Sequence, residues 1–140
     1  MGCCLRLART YSEDTVQIQA TSIEYSSAAP IVRPWGTYES IASGDGYQVK
    51  RIVVAPGGRL SRQRHDRRAE HWVVVSGLAV VELDGVEREL LPNEAIHIPR
   101  RSIHRLTNRI GTPLVLIEVQ CGDYVGEDDI ERLDDIYGRV

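Results

Sequence analysis

PGGRLSRQRHDRRAEHWVVVSG, residues 56–77, is the stretch on which the fold of this chain turns. It holds Gln63, His65 and Glu70 at a spacing that can aim three metal-binding atoms at one point. Side chains alternate faces along a strand, so Gln63 and His65 emerge on the same side. The polar segment DRRA at 66–69 reads as a turn, and Glu70 then leads into the apolar run Trp72 to Val75. A hairpin there would set Glu70 beside the other two. A fourth ligand, His104, lies in IPRRSIHRLTN, inside another short strand pattern. Two strand pairs would then close a pocket around Gln63, His65, Glu70 and His104.

Two imidazoles, one carboxylate and one amide carbonyl make a mixed nitrogen and oxygen shell. Such a shell suits zinc first, and Mn, Fe, Co or Ni nearly as well. With one formal negative charge it leaves a dication electrophilic enough to polarise a bound carbonyl or hydroxyl. A lone strand histidine is usually structural. A carboxylate beside an apolar run is harder to explain blandly, because unpaired buried charge is costly. Alternation sends His71 and His97 to the face opposite the pocket, where His71 is expected to support the ligands from behind or to be structural and His97 to be structural. Trp72 shares the face of Glu70 as pocket wall or ordinary core, and Arg67 and Arg68 are either an anion clamp or solvated turn residues.

Outward from this stretch the chain is a series of short β-rich runs broken by turn signals. TYESIAS, YQVKRIVVA, HWVVV, LAVVEL, VERELL, AIHIP, IHRLTN and PLVLIEVQ alternate with GDG, PGG, Ser76-Gly77, Asp84-Gly85 and Pro92-Asn93. Asp84-Gly85 between alternating runs is a two-residue hairpin signal. So many short strands predict an all-β sandwich or small barrel. Only Glu127 to Tyr137 reads helical, with Ile130, Leu133 and Ile136 at three-residue steps. Residues 1–30, polar and weakly periodic, are expected to form a tail or extension, and 31–140 a single domain.

At 140 residues the chain is long enough for one well-filled core. Its 17 basic and 20 acidic residues are mixed and give a net charge of −3, with no nucleic-acid footprint. There is no Phe and no long apolar run, so neither a membrane span nor a membrane partner is expected. Cys3, Cys4 and Cys121 are odd in number and lack zinc-site spacing, which fits a reducing cytoplasm. MGCCLR has Arg6 where a myristoylation signal wants Ser or Thr, and no secretory apolar core follows.

Gly57, Gln63, His65, Glu70 and Gly77 resemble the first motif of the cupin superfamily, with Gln63 in place of its first His. Pro99, His104 and Asn108 resemble the second, with Asn93 and Arg101 at its glycine positions. A more specific resemblance runs from about Arg33 to Arg139. RPWG at 33–36, VKRIVVAPGGRLS, RAEHWVVVSG, HRLTN, IEVQCGDYVGEDDI and the terminal YGR are similar to the cupin domain of type II mannose-6-phosphate isomerases. That domain is usually the carboxy-terminal part of a bifunctional enzyme carrying mannose-1-phosphate guanylyltransferase.

The resemblance implies a jelly-roll barrel with a short C-terminal helix, commonly a homodimer. It implies interconversion of mannose 6-phosphate and fructose 6-phosphate with a divalent metal, feeding GDP-mannose and polysaccharide synthesis. In that family Gln replaces the first cupin His, and Arg68 corresponds to an arginine tied to isomerase activity. Arg33, Lys50, Arg51 and Arg139 are the further candidates for substrate binding, with Lys50, Glu118 or a shell water as proton carrier. Arg67 stands where the family usually has His, and Arg64 and Arg101 replace smaller or apolar residues. No glycine-rich nucleotide loop precedes the domain, so a stand-alone isomerase is expected. The rival expectations are a noncatalytic sugar-phosphate-binding module, or another metal-dependent cupin enzyme such as an iron oxygenase or other sugar isomerase.

Overall fold

The structure, a computed structural model, describes residues 24–140, so most of the expected amino-terminal extension lies outside the described residues. Twelve strands follow one another: β1 (Glu24–Tyr25), β2 (Ile31–Arg33), β3 (Gly36–Gly44), β4 (Tyr47–Val54), β5 (Arg62–Arg64) and β6 (Arg68–Ser76). Then come β7 (Ala79–Leu83), β8 (Val86–Leu90), β9 (Ala95–Ile98), β10 (His104–Thr107), β11 (Leu114–Gly122) and β12 (Glu131–Asp134). A seven-stranded sheet runs β1-β3-β4-β11-β6-β9 with β2 also paired to β3, and a five-stranded sheet runs β12-β5-β10-β7-β8. All the strand pairings are antiparallel. This is the all-β cupin architecture that the strand pattern and motifs predict.

The period-two pattern is what sorts side chains into the core. Along β6 burial alternates from Arg68 through Glu70, Trp72 and Val74, and along β11 from Leu114 through Leu116, Glu118 and Gln120. Register then aligns these inward residues in layers. Leu114 sits opposite Val54, Leu116 between Ile52 and Val74, Glu118 between Lys50 and Trp72, and Gln120 opposite Glu70. The apolar layers join Trp35, Val81, Leu90 and Leu106 in one core cluster. Each fully buried Val, Leu or Ile contributes about 1.5–3 kcal/mol.

Turn chemistry matches the motif positions. Asp84 (φ 47) and Gly85 (φ 83) join β7 to β8 in a two-residue loop with both central residues left-handed. Asn93 (φ 72) and Arg101 (φ 66), which occupy glycine positions of the second cupin motif, also adopt left-handed backbone. The backbone at both positions takes the conformation that glycine favours.

Two expectations are corrected. No β5–β6 hairpin forms: β5 pairs with β10 and β12, whereas β6 pairs with β11 and β9 in the other sheet. Residues 65–67 cross between sheets, held by Asp129, whose Oδ1 and Oδ2 accept from the amides of Asp66 (3.2 Å) and Arg67 (2.9 Å). Nor is Glu127–Tyr137 a helix. Residues 131–134 form β12 against the free edge of β5, with Glu131 opposite Arg64 and Arg132 opposite Gln63. The apolar triplet that suggested a helix does not share one covered face: Ile130 lines the interior cavity, Leu133 and Ile136 are 39% and 55% exposed, and Asp135 is buried.

Candidate metal centre

Two sheets converge on the site. The five-stranded sheet places His104 directly opposite Gln63, with His65 just past the end of β5, and the seven-stranded sheet supplies Glu70 from across the interior. His65 Nε2 lies 3.2 Å from Glu70 Oε1, and His104 Nε2 lies 3.6 Å from Glu70 Oε2. Each of the three residues offers a donor atom within 4.8 Å of the others, and all three are buried.

Hydrogen bonds settle which ring nitrogen faces the centre. His65 Nδ1 meets the Asp129 carbonyl at 2.5 Å and His104 Nδ1 meets the Ser102 carbonyl at 2.9 Å. A carbonyl can only accept, so each Nδ1 carries the proton and each Nε2 presents its lone pair inward. His104 Nε2 is buried without any hydrogen-bond partner. An orphaned buried acceptor is costly unless something electrophilic meets it, and two such imidazoles with a carboxylate suit a divalent cation.

The charge states agree. For Glu70, burial opposes ionisation, but its hydrogen-bond and Coulombic contacts with His65 and His104, which favour the anion when positive charge sits on a ring or on a cation in its place, outweigh it and hold its pKa well below the usual carboxylate range. Arg68 Nε donates to Glu70 Oε1 at 3.0 Å. Burial lowers the pKa of His104 against the pull of Glu70 and so favours the neutral ring. Burial first, then the charge of Glu70, pushes Glu118 well above the carboxylate range. The neighbouring carboxyls are thus shifted in opposite directions, Glu70 toward the ionised form and Glu118 toward the protonated one. Trp72 bridges them, its indole N–H 3.1 Å from both Glu70 Oε2 and Glu118 Oε1.

Gln63 stands beside this centre with its amide turned away. Its Oε1 accepts from the Ser61 hydroxyl at 2.7 Å, and its Nε2 lies 3.4 Å from His65 Nε2. A half-turn of the amide would keep a bond to Ser61 through Nε2 and bring Oε1 to the centre.

The other sequence candidates separate. Arg68 is 4% exposed, and its guanidinium also donates to the Gly126 carbonyl at 3.0 Å. A cavity of about 140 Å³ adjoins the centre, with Gln63, Arg68, Glu70 and Glu118 in its wall, and Arg33, Lys50 and Arg139 line it too. Lys50, buried, is paired with Glu127, and Arg139 is held by Asp135. Arg51 does not line the cavity. It lies on the outer face of the large sheet, 3.3 Å from Glu39, because alternation puts Lys50 and Ile52 inside and Arg51 outside. His71 and His97 stack across strands at 4.5 Å on the outer face, as alternation predicts.

The family departures fall outside the cavity as well. Arg64 pairs with Glu131, Arg67 with Asp123, and Arg101 is 77% exposed. Three residues escaped the sequence reading. Gln120 and Arg132 line the cavity, and Asp129 holds His65. Period two from Glu118 would have found Gln120; Arg132 and Asp129 depend on the path of β12, which no local pattern announces.

A family model described as mannose-6-phosphate isomerase C-terminal matches residues 20–135. The chain belongs to that family. Over 117 residues it is 53% identical to the alginate biosynthesis protein AlgA of Pseudomonas aeruginosa, covering 84% of this chain and 24% of that protein. Over 110 residues it is 56% identical to mannose-1-phosphate guanylyltransferase of Escherichia coli, covering 79% and 23%. The chain thus spans about a quarter of the length of these relatives. Among solved structures, the capsular polysaccharide assembling protein CapF of Staphylococcus aureus superposes with a TM-score of 0.67 at 22% identity, covering 76% of this chain and 34% of that one. The Cnp3 cupin domain of Schizosaccharomyces pombe gives 0.61 at 10% identity, covering 69% and 70%. At these identities the two structures show a shared fold and nothing more. Among the described residues, no helix is long and apolar enough to cross a membrane.

Proposed function

We propose that this domain is a metal-dependent aldose–ketose isomerase interconverting mannose 6-phosphate and fructose 6-phosphate, in the supply of GDP-mannose for polysaccharides. Its main support is the ligand set: two imidazoles with their Nε2 lone pairs turned toward an ionised Glu70. The names of relatives in alginate biosynthesis and mannose-1-phosphate guanylyl transfer support the setting. Gln63, with its amide turned, His65, Glu70 and His104 would hold the ion, zinc first among Zn, Mn, Fe, Co and Ni. Such an ion supplies Lewis acidity toward the carbonyl and adjacent hydroxyl of an open-chain sugar.

The remaining work falls to the chain's own groups. Isomerisation moves a proton between neighbouring carbons, and the carrier must both release and recover it near neutral pH. Glu118, with its pKa pushed up in the cavity wall, meets that requirement better than Lys50, which is committed to Glu127. Trp72 keeps the Glu118 carboxyl in place from β6. Arg68 positions Glu70, while Arg33, Arg132 and Arg139 in the same lining offer guanidinium groups to the phosphate. The same proposal carries a cytoplasmic setting and a homodimer. The apolar outer face of the large sheet, where Val73 and Val75 are 40% and 53% exposed, supports the dimer.

Purified protein is expected to carry a stoichiometric divalent ion by metal analysis and to isomerise mannose 6-phosphate. Glu70→Ala and His104→Ala are expected to lose both properties. Undiminished metal and turnover in both variants would overturn the proposal. Binding of metal and sugar phosphate without turnover would leave a noncatalytic module, and oxygen uptake would point to oxygenase chemistry.

A further inference from the structure

We propose that Gln120 reads one hydroxyl of the substrate through the open end of its side-chain amide; this rests on the sugar-phosphate reading above. Gln120 is 1% exposed and lies on β11 opposite Glu70, two residues beyond Glu118, so its side chain enters the wall of the cavity. Its Nε2 donates to Glu118 Oε2 at 3.1 Å, and Glu118 Oε1 accepts the Trp72 indole N–H at 3.1 Å. An indole N–H can only donate, so this chain of bonds has a fixed start on a core residue. At its far end Gln120 Oε1 is buried with no partner.

Such an orphan calls for a partner, and its neighbours define which kind. A phosphate offers acceptors and would be repelled by the amide oxygen beside Glu70, whereas Arg33, Arg132 and Arg139 serve it elsewhere in the lining. A hydroxyl both donates and accepts. It therefore satisfies the amide in the orientation present, and would still do so if the amide turned over and Glu118 donated to it. Sites built around a substrate hydroxyl discriminate well, because an analogue lacking it leaves the buried group unpaired. Gln120 is thus a specificity residue, separate from the metal-binding set.

The test is calorimetric binding of mannose 6-phosphate and its 2-, 3- and 4-deoxy analogues to the metal-loaded chain, its Gln120→Met variant and its Gln120→Glu variant. The native chain is expected to bind one deoxy analogue about tenfold more weakly than the parent sugar. Gln120→Met is expected to bind the parent about tenfold more weakly, and that one analogue as the native chain does. Gln120→Glu keeps an acceptor and is expected to retain most of the discrimination. Equal weakening for all four sugars, no weakening at all, or a fall in metal content would overturn the proposal. If Gln120→Met does not fold, the native panel decides, since equal affinity for parent and analogues also overturns it. A native chain that isomerises mannose 6-phosphate yet shows no Gln120 effect sinks this inference alone. A metal-loaded chain that binds none of these sugars sinks the isomerase reading, and this one with it.

Discussion

Followed from one end to the other, the interior of this sandwich changes character within a few residues. In the layers of Leu114, Leu116, Val54, Ile52 and Val74 it is dry and aliphatic. In the next two layers the same strands turn inward Lys50, Glu118 and Trp72, then Glu70 and Gln120. The backbone ladder is continuous across the change, so strand geometry does not create the site. Burial does. The aliphatic end supplies the free energy of folding, and at the polar end burial raises Glu118 while the histidine contacts override burial at Glu70, shifting the two carboxyls in opposite directions.

The sharpest test of that contrast is Glu118→Gln. Turnover is expected to fall about 10²–10⁴-fold, the usual contribution of a positioned proton carrier. Stability should move the other way. The folded chain holds Glu118 protonated above the ordinary carboxylate value of 4.5, so at neutral pH the native residue costs stability that Gln avoids. In chelator-treated protein, thermal unfolding at pH 7 should therefore occur at higher temperature for Glu118→Gln. Below pH 4.5 both states are protonated and the difference should vanish; a lower unfolding temperature at pH 7 would contradict the assignment.

Leu116→Ala probes the dry end. Leu116 is fully buried, and its truncation is expected to cost about 2–5 kcal/mol by chemical denaturation. Metal content of the folded fraction should stay unchanged. A lost metal would mean the two ends are one mechanical unit and break the comparison.

A smaller effect is expected at the rim. Asp135 accepts from the Arg139 backbone N–H at 2.8 Å, from Nε at 2.7 Å and from Nη2 at 2.8 Å. These bonds to Arg139 lower its pKa from 3.8 to about 2. Because the folded value is depressed, the stabilisation is complete above 3.8 and lost as pH falls through about 2. Asp135→Asn should thus destabilise by about 2 kcal/mol at pH 7, with the gap closing near pH 2 in denaturation curves. A gap that persists at pH 2 would mean that packing, not charge, holds the rim.

Much of this was legible in the residues. Period two assigned the faces of His71, His97, Gln63 and Glu70 before any coordinates, and Asp84-Gly85 marked its hairpin. Motif spacing marked Asn93 and Arg101 as places where glycine belongs, and both proved left-handed. What stayed hidden was long-range. Whether residues 65–67 turn back or cross to the other sheet depends on Asp129, more than sixty residues away, which grips their amides. Likewise three apolar residues at helical spacing could not reveal that a polar strand edge would claim the segment first. Arg51 was misplaced for a simpler reason: next to Lys50 in sequence, it must face the other way.

The grip of Asp129 on His65 also sets an order of events. Among the described residues, the donor atoms grouped around a possible ion belong to residues 63–104, yet the carbonyl that fixes the His65 tautomer and the Gly126 carbonyl that holds Arg68 come later in the chain. During synthesis the sandwich can begin to assemble before that clasp has left the ribosome. If the proposed ion binds, it should load last in maturation, and a protease nick near residue 125 should weaken its hold while sparing most of the sheets.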